Sequence, residues 1–439
     1  MSRFGAHFGV LRPDILRLVQ LLLFLVFWLA WTAPASDHAP EQFAQRRAAL
    51  KKELPNSVIV LFGKAEKEVY EVREPFVQES NFYYLTGWTE PGAILLIDPD
   101  REVLFLPGRN SDREKWSGVR ASAADEGIGK RTGFGIVSPV PTFERELAAS
   151  LEKMSDVYGL AKTENGQRLS ALAPLRDVQD AAPAIAKLRM KKSPEEIEAI
   201  QRSTKVSIEG HRAAWKRAAE GVFEYQVAAA ATTVFLDSGC ARHAYSPIIG
   251  SGPNSVVLHY SDINRRMQAG EVVVMDIGAE CGNYASDITR TIPLGKKFSA
   301  RQREIYEIVL GAQKAAIAAV KPGATLGRTT PNSIYKVALD YIDGHGKDRE
   351  GKSLGRYFTH GIGHHVGLDV HDANDPALPL AEGMVVTVEP GIYIPEENIG
   401  IRIEDVVLVT KDGAKVLSSA LPKEPDEVER ALANRSAGR

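Results

Sequence analysis

The chain has 439 residues, a formal net charge of −2, 44% apolar residues and 25% charged ones. At roughly 150 residues per domain it makes one large domain or two to three smaller ones, long enough to bury a core without disulfide staples. The composition excludes a collagen, a low-complexity chain and a multi-span membrane protein. A near-neutral balance argues against a nucleic-acid binder, and two cysteines exclude a disulfide scaffold or a thiolate zinc ribbon.

The N-terminus departs from this average. Arg3, Arg12 and Arg17 precede an apolar run from Leu18 to Ala33 that only Gln20 and Thr32 interrupt, and Ala33-Pro34-Ala35 follows. A basic region, a short apolar core and a small-residue cleavage site read as a secretory signal over 1–35, removed on export to the periplasm or medium. A membrane anchor uses about 20 apolar residues, more than this run has. Trp28 and Trp31 keep an uncleaved membrane anchor as the alternative, with a buried helix as a third reading. Export places Cys240 and Cys281 in an oxidising compartment, where they either pair or stay as separately buried thiols.

Residues 41–54 read as a charged amphipathic helix and 58–62 as a buried strand ending at Gly63. The runs 93–97 and 103–106 flank the turn Asp98-Pro99-Asp100 and predict adjacent strands. Helical patterns follow near 143–154 and 168–173. Alternating strands and helices up to residue 180 fit an α/β domain. Ser193-Pro194-Glu195-Glu196 then opens a long helix, with Ser193 as cap, Pro194 in the first turn and Glu196 completing a capping box. Helices at 224–237, 299–320 and 329–343, with several strands, make the second half α+β with antiparallel pairing. The chain thus divides into the signal 1–35, a first domain 36–185 and a second domain 186–439.

The chemistry lies in the second domain. Residues 271–278 and 285–292 predict two strands around the turn Cys281-Gly282-Asn283. Folding about Cys281 and Gly282 sets Asp276 opposite Asp287. Facing carboxylates about 5 Å apart repel unless a cation lies between them. The other reading has each aspartate capping a turn or pairing with Arg290.

Further on, His360, His364, His365 and His371 fall within twelve residues, among Gly361, Gly363 and Gly367. The glycines make a continuous helix unfavourable, and the density of imidazoles points to metal binding or proton transfer. Residues 385–389 predict a buried strand ending in Glu389. Residues 401–408 predict one strand carrying Arg402 and Glu404 inside an apolar run. Charges in a buried strand are costly unless paired; an exposed strand with an Arg402–Glu404 neighbour pair is the alternative. Together Asp276, Asp287, one histidine, Glu389 and Glu404 offer four carboxylates and one imidazole. That set is sufficient for two divalent ions with positions left for water. Oxygen-rich ligation favours a hard ion such as Mn, and the imidazole keeps Co, Fe or Zn open.

These segments resemble the metallopeptidase family M24 with the pita-bread fold, which includes methionine aminopeptidase, prolidase and Xaa-Pro aminopeptidase. Within it, Glu79-Ser80-Asn81-Phe82-Tyr83-Tyr84-Leu85-Thr86-Gly87-Trp88-Thr89-Glu90-Pro91 and Arg113 to Arg120 are similar to the first domain of the Xaa-Pro aminopeptidases, although that pattern more often has Asp where Asn81 stands. Creatinase shares the two-domain fold but not the ligands.

The resemblance implies an α/β N-terminal domain followed by an α+β pita-bread catalytic domain. It implies Asp276, Asp287 (bridging), His364, Glu389 and Glu404 as metal ligands. His259, His360 and His371 become the non-ligand histidines, and Tyr393 and Arg402 line the site. Glu389 would shuttle a proton, and His371 or His259 would stabilise the oxyanion or leaving nitrogen. The stretches before His360 and from Asp372 to Glu382 look short, which leaves the preferred peptide length open. The implied activity is cleavage between an N-terminal residue and a following proline. Prolidase activity and a non-catalytic binding role are the alternatives. Expected partners are peptides with proline second and further copies of the chain, as dimer or tetramer. Nucleic acid is not among them, nor is a stable membrane partner once the signal is removed.

Overall fold

In this computed structural model, residues 39–65, 76–295 and 297–433 are described. The signal-like segment 1–35 lies outside them. Among the described residues no helix is long and apolar enough to cross a membrane.

Strand β1 (Ser57–Phe62) is buried along its whole length because it is an inner strand of a six-stranded sheet. Ile59 and Leu61 face one core, while Val58, Val60 and Phe62 face a second core with Phe143, Leu147 and Leu169. The other strands are β2 (Ile94–Ile97), β3 (Glu102–Leu106), β4 (Ile136–Pro139), β5 (Asp156–Gly159) and β6 (Val178–Asp180), in the order β4-β3-β2-β1-β5-β6. β2 pairs antiparallel with β1 and β3, as the Asp98-Pro99-Asp100 turn predicts, and the outer pairings are parallel. Helices Phe143–Lys153 and Glu164–Leu172 cover the second core. The sequence boundary at 185 falls inside the helix Ala182–Met190.

Ser193 caps the helix Pro194–Arg217 and the reciprocal Glu196 contact completes the capping box. Helix Glu224–Asp237 packs against it. The strands that follow are β7 (Arg242–His243), β8 (Ile248–Ser251), β9 (Val272–Asp276), β10 (Ala279–Cys281), β11 (Tyr284–Ala285), β12 (Thr289–Pro293), β13 (Val385–Val388), β14 (Gly391–Ile394), β15 (Ile399–Arg402), β16 (Asp405–Thr410) and β17 (Gly413–Val416). They pair antiparallel in the orders β11-β10-β7, β12-β9-β8, β13-β16-β17 and β14-β15. Helices Ala300–Ala319 and Ile334–His345 pack on each other. The second starts five residues later than the pattern at 329 predicts, because Pro331 and Asn332 (φ 54°) precede Ser333, whose side chain caps it.

Two further corrections bear on the site. The hairpin turns at Gly282-Asn283, both at positive φ (60° and 67°), and Cys281 pairs with Tyr284. The turn centre is therefore one residue later than the sequence suggested, and Asp276 faces Thr289 instead of Asp287. Residues 401–408 form no single strand: β15 ends at Arg402, β16 begins at Asp405, and Glu404 stands in the break. Cys240 and Cys281 are joined by a disulfide that ties the end of helix Glu224–Asp237 to the hairpin.

Candidate active site

The hairpin supplies two carboxylates. Asp276 is the last residue of β9, and Asp287 lies two residues before β12. With Asp276 opposite Thr289, Asp287 is its diagonal neighbour on the same face. Glu389 follows β13 directly, and Glu404 occupies the β15–β16 break. Backbone bonds lace these pieces together: Glu404 N donates to Thr289 O (3.0 Å), Glu389 N to Ile362 O (2.9 Å) and Thr387 N to His364 O (2.8 Å). The histidine segment is a loop, as its glycines predict, held along β13.

The five donors converge. His364 Nε2 lies 3.4 Å from Asp287 Oδ2 and 3.6 Å from Glu389 Oε1. Asp287, His364 and Glu404 each present a ligand atom within 4.8 Å of the others. Asp276, Asp287 and Glu404 are buried, and Glu389 and His364 half-buried. Asp276 Oδ2 accepts from Arg402 Nη2 (2.6 Å), Glu404 Oε2 from Thr289 Oγ1 (2.7 Å) and Glu389 Oε1 from Thr387 Oγ1 (3.3 Å). Arg402 therefore pairs with Asp276 and not with Glu404, which overturns the exposed-strand reading. Arg290 pairs with Asp405 (2.8 Å), so neither hairpin aspartate uses it.

Electrostatics separates these groups. Burial opposes ionisation of Asp276, but the Arg402 charge and the hydrogen bonds from Tyr245 and Arg402 hold its pKa below the ordinary value. Burial and then the Asp276 charge raise Asp287. Burial pushes Glu389 up to about 7, with the Asp287 charge adding to it against the opposing His364. Burial followed by the Asp287, Glu389 and Asp276 charges drives Glu404 well above the carboxylate range. Burial disfavours the His364 cation, yet its Asp287 contact and the Asp287 and Glu389 charges carry it to about 9. Three carboxylates, Asp287, Glu389 and Glu404, thus crowd one imidazole.

The residues fit a divalent metal on two counts. Hard oxygens and one imidazole nitrogen point at a common centre, the donor chemistry of such an ion. The His364 ring also donates Nδ1–H to His365 O (3.1 Å), which turns Nε2 to Asp287 and Glu389, where a metal would displace its proton. That is how ligand imidazoles are oriented.

Beside this cluster, Arg402 Nη1 donates to Tyr393 Oη (2.9 Å), and Tyr393 Oη donates to His360 Nε2 (2.8 Å). His360 Nδ1 in turn donates to Gly361 O (2.8 Å) and sits 4.0 Å from Glu389 Oε2. This relay fixes one neutral tautomer, and burial helped by the Arg402 charge lowers its pKa to about 4. The His371 ring packs edge-on against His364, centroids 4.2 Å apart. Exposed His259 stands on the loop between β8 and β9, close enough for its charge to disfavour the cations of His360 and His371. All ten sequence-selected residues belong to one region.

One residue escaped the sequence reading. Tyr245 Oη contacts Asp276 Oδ1 and lies 2.6 Å from Asp287 Oδ1, bridging the two carboxylates. Burial and the Asp276, Asp287 and Glu404 charges keep the phenol protonated, its pKa far above 10. Its sequence surroundings, Ala244-Tyr245-Ser246, carry no signal of this role.

A mixed-sheet first domain, followed by an antiparallel domain whose buried carboxylates surround an oriented imidazole, defines a metallopeptidase. The model of metallopeptidase family M24 matches residues 198–411, and that of the aminopeptidase P N-terminal domain matches 43–158. The Xaa-Pro aminopeptidase of Haemophilus influenzae is 34% identical over 420 residues, covering 89% of this chain and 97% of that protein. That of Escherichia coli is 33% identical, covering 90% and 98%. Among solved structures, an aminopeptidase from Pseudomonas aeruginosa superposes with a TM-score of 0.83 at 30% identity, covering 91% of this chain and 99% of that one. Escherichia coli aminopeptidase P with the inhibitor Pro-Leu gives 0.80 at 29%, with the same coverage. The chain belongs to metallopeptidase family M24, in its Xaa-Pro aminopeptidase group.

Proposed function

We propose that the chain is a metal-dependent Xaa-Pro aminopeptidase that releases the first residue of peptides with proline second. The observation carrying this reading is the convergence of Asp276, Asp287, His364, Glu389 and Glu404 beside His360 and His371. Those five residues would hold two divalent ions, with Mn favoured by the oxygen-rich set and Co, Fe or Zn open. Such ions supply a water of lowered pKa and polarise a peptide carbonyl.

The chain's own residues do the rest. Glu389, a half-buried carboxylate whose Oε2 lies beside His360, would move a proton, first from water and then to the proline nitrogen that leaves. A carboxylate oxygen of this set facing the cleft would accept from the α-amine of a peptide, which favours cutting at the N-terminus. His371 and His259 are the imidazoles available to the developing oxyanion or to the leaving nitrogen. The Arg402–Tyr393–His360 relay holds the His360 ring in one orientation beside Glu389. Proline lacks an N–H, so recognition of its bond rests on shape and on the carbonyl, without that donor.

The test mixes Mn-loaded protein with Arg-Pro-Pro and with Gly-Pro. Free arginine from the tripeptide is the expected product. Cleavage of the dipeptide alone identifies a prolidase, and no cleavage of either identifies a binding protein.

Residues 1–35 support export, as does a disulfide that suits an oxidising compartment. Expression with residues 1–35 deleted should retain the protein in the cytoplasm, and the N-terminal residue of the exported form separates cleavage from anchoring. A dimer or tetramer is the expected assembly, read by sedimentation.

A further inference from the structure

The loop carrying His371 is held by a buried carboxylate outside the ligand set. Asp372 Oδ1 accepts from Arg189 Nη2 (2.5 Å) and from Asp369 N (3.3 Å), and Oδ2 accepts from Lys192 Nζ (2.7 Å). Its amide donates to His365 O (2.9 Å), which closes the loop 365–372 on itself. Gly367 makes room for this, since a Cβ there would strike the Asp372 carboxylate. Gly367 O also accepts from Ala285 N (2.8 Å), tying the loop to the hairpin that bears Asp287.

The charges are deeply buried: the side chains of Arg189, Lys192 and Asp372 are 3%, 1% and 1% exposed. Buried ion clusters add little stability over apolar packing, so this one asks for a role in specifying geometry. The cluster does not end in the second domain. Arg189 also donates to Asp369 Oδ2 (2.7 Å) and to Asn81 Oδ1 (2.7 Å), and Ser80 Oγ donates to Asp369 Oδ1 (2.6 Å). Ser80 and Asn81 open a first-domain helix, Ser80–Thr86.

We propose that Asp372 is a positioning residue for the reaction and that, through Arg189, Ser80 and Asn81 of the first domain set where His371 stands against His364. The contact chain runs without a gap from Ser80 and Asn81 through Arg189 and Asp369 to Asp372, whose neighbour is His371. It also accounts for Asn81 in place of the more usual Asp. Asp369, Asp372 and Glu79 already gather around Arg189 and Lys192, and Glu79 Oε1 accepts from Asn81 Nδ2 (2.9 Å), so an amide serves both Glu79 and Arg189 where a carboxylate would add another anion. The inference rests on the peptidase reading, since only a reaction gives the placement of His371 a consequence.

The test is a double-mutant cycle between the pair Ser80→Ala/Asn81→Ala and His371→Ala in full-length, Mn-loaded protein. The pair should lower kcat about tenfold, with KM within about twofold and metal content unchanged, because a misplacement near 1 Å costs up to about a hundredfold. On the His371→Ala background the same pair should change kcat less than about twofold. Ser80→Thr, which keeps the hydroxyl, should act as wild type. Independently of turnover, hydrogen exchange in the pair variant should quicken over 365–372, and at Ala285 whose amide bonds Gly367 O, and stay unchanged in β9 and β12. Losses that multiply across the cycle, or unchanged exchange over 365–372, overturn the proposal. Failure of wild type to cut Xaa-Pro peptides overturns the peptidase reading instead, and the exchange measurement still decides the clamp.

Discussion

Arg402 grips Asp276 through a 2.6 Å contact between Nη2 and Oδ2, with both side chains buried at the edge of the carboxylate cluster. The other arm of the same guanidinium donates to Tyr393 at 2.9 Å, so one planar group fixes a candidate ligand and the His360 relay together. Lysine cannot reproduce two fixed donors at that geometry. Arg402→Lys should therefore retain most of the bound metal, lowering kcat at least about tenfold as the relay loosens. Metal analysis alongside steady-state kinetics measures both quantities, and an unchanged kcat would contradict the relay.

Tyr245 sits between Asp276 and Asp287, where its hydroxyl offsets their repulsion. Tyr245→Phe leaves the ring's packing and removes that hydroxyl. Loss of a group that orients ligands costs about 10–100-fold in metal affinity. Competition against a chromophoric chelator reads this directly. Wild-type affinity in the phenylalanine variant would show the bridge to be incidental.

His211, in the helix Pro194–Arg217, is fully buried, donating Nε2–H to Ile288 O (2.9 Å). Burial, with the Arg290 charge adding, lowers its pKa to about 4. The unfolded imidazole takes a proton near pH 6.5 that the folded one refuses until about 4. The contribution is thus complete above pH 6.5 and lost as pH falls toward 4, by up to about 3 kcal/mol. His211→Gln keeps a donor for Ile288 O without titrating. Urea unfolding of metal-free protein at pH 7 and 4.5 should show wild type losing more stability than the variant; equal losses would refute the assignment.

Glu224 is a buried hub beneath the loop bearing His259. Its oxygens accept from Ser251 N (2.8 Å), Ser251 Oγ (2.7 Å), Asn254 Nδ2 (3.2 Å), Tyr260 Oη (2.9 Å) and Arg265 N (3.0 Å). Every donor points inward, so the amide of Glu224→Gln turns an N–H toward at least one of them. Activity on Arg-Pro-Pro should drop about tenfold or more, with the largest gain in hydrogen exchange over 253–265. Wild-type exchange over that loop would sink this account.

Local chemistry was legible because it needs only neighbours. The Ser193–Glu196 capping box, the β2–β3 turn and the glycines that keep 360–371 out of a helix all follow from a few adjacent residues. The four candidate carboxylates are legible for a related reason, since charges within apolar runs are too costly to bury without a partner, whereas the choice of His364 among four histidines came from the family resemblance. Register was less secure. The pair Gly282-Asn283 and the pair Cys281-Gly282 both offer turn chemistry, and the choice between them moved Asp287 from opposite Asp276 to its diagonal.

By itself, the sequence determined which residue types carry the chemistry, the order in which they occur and most of the elements that bear them. The tertiary structure decided the break that frees Glu404 from a strand, the Arg402–Asp276 pairing, the Cys240–Cys281 link, the bridging phenol of Tyr245 and the Arg189–Asp372 clamp. The reason is physical: each joins residues whose approach depends on how whole elements pack, and spacing along the chain holds no information about that. Tyr245 and Asp287 lie 42 residues apart and Arg189 and Asp372 lie 183 apart, yet each pair meets within hydrogen-bond distance.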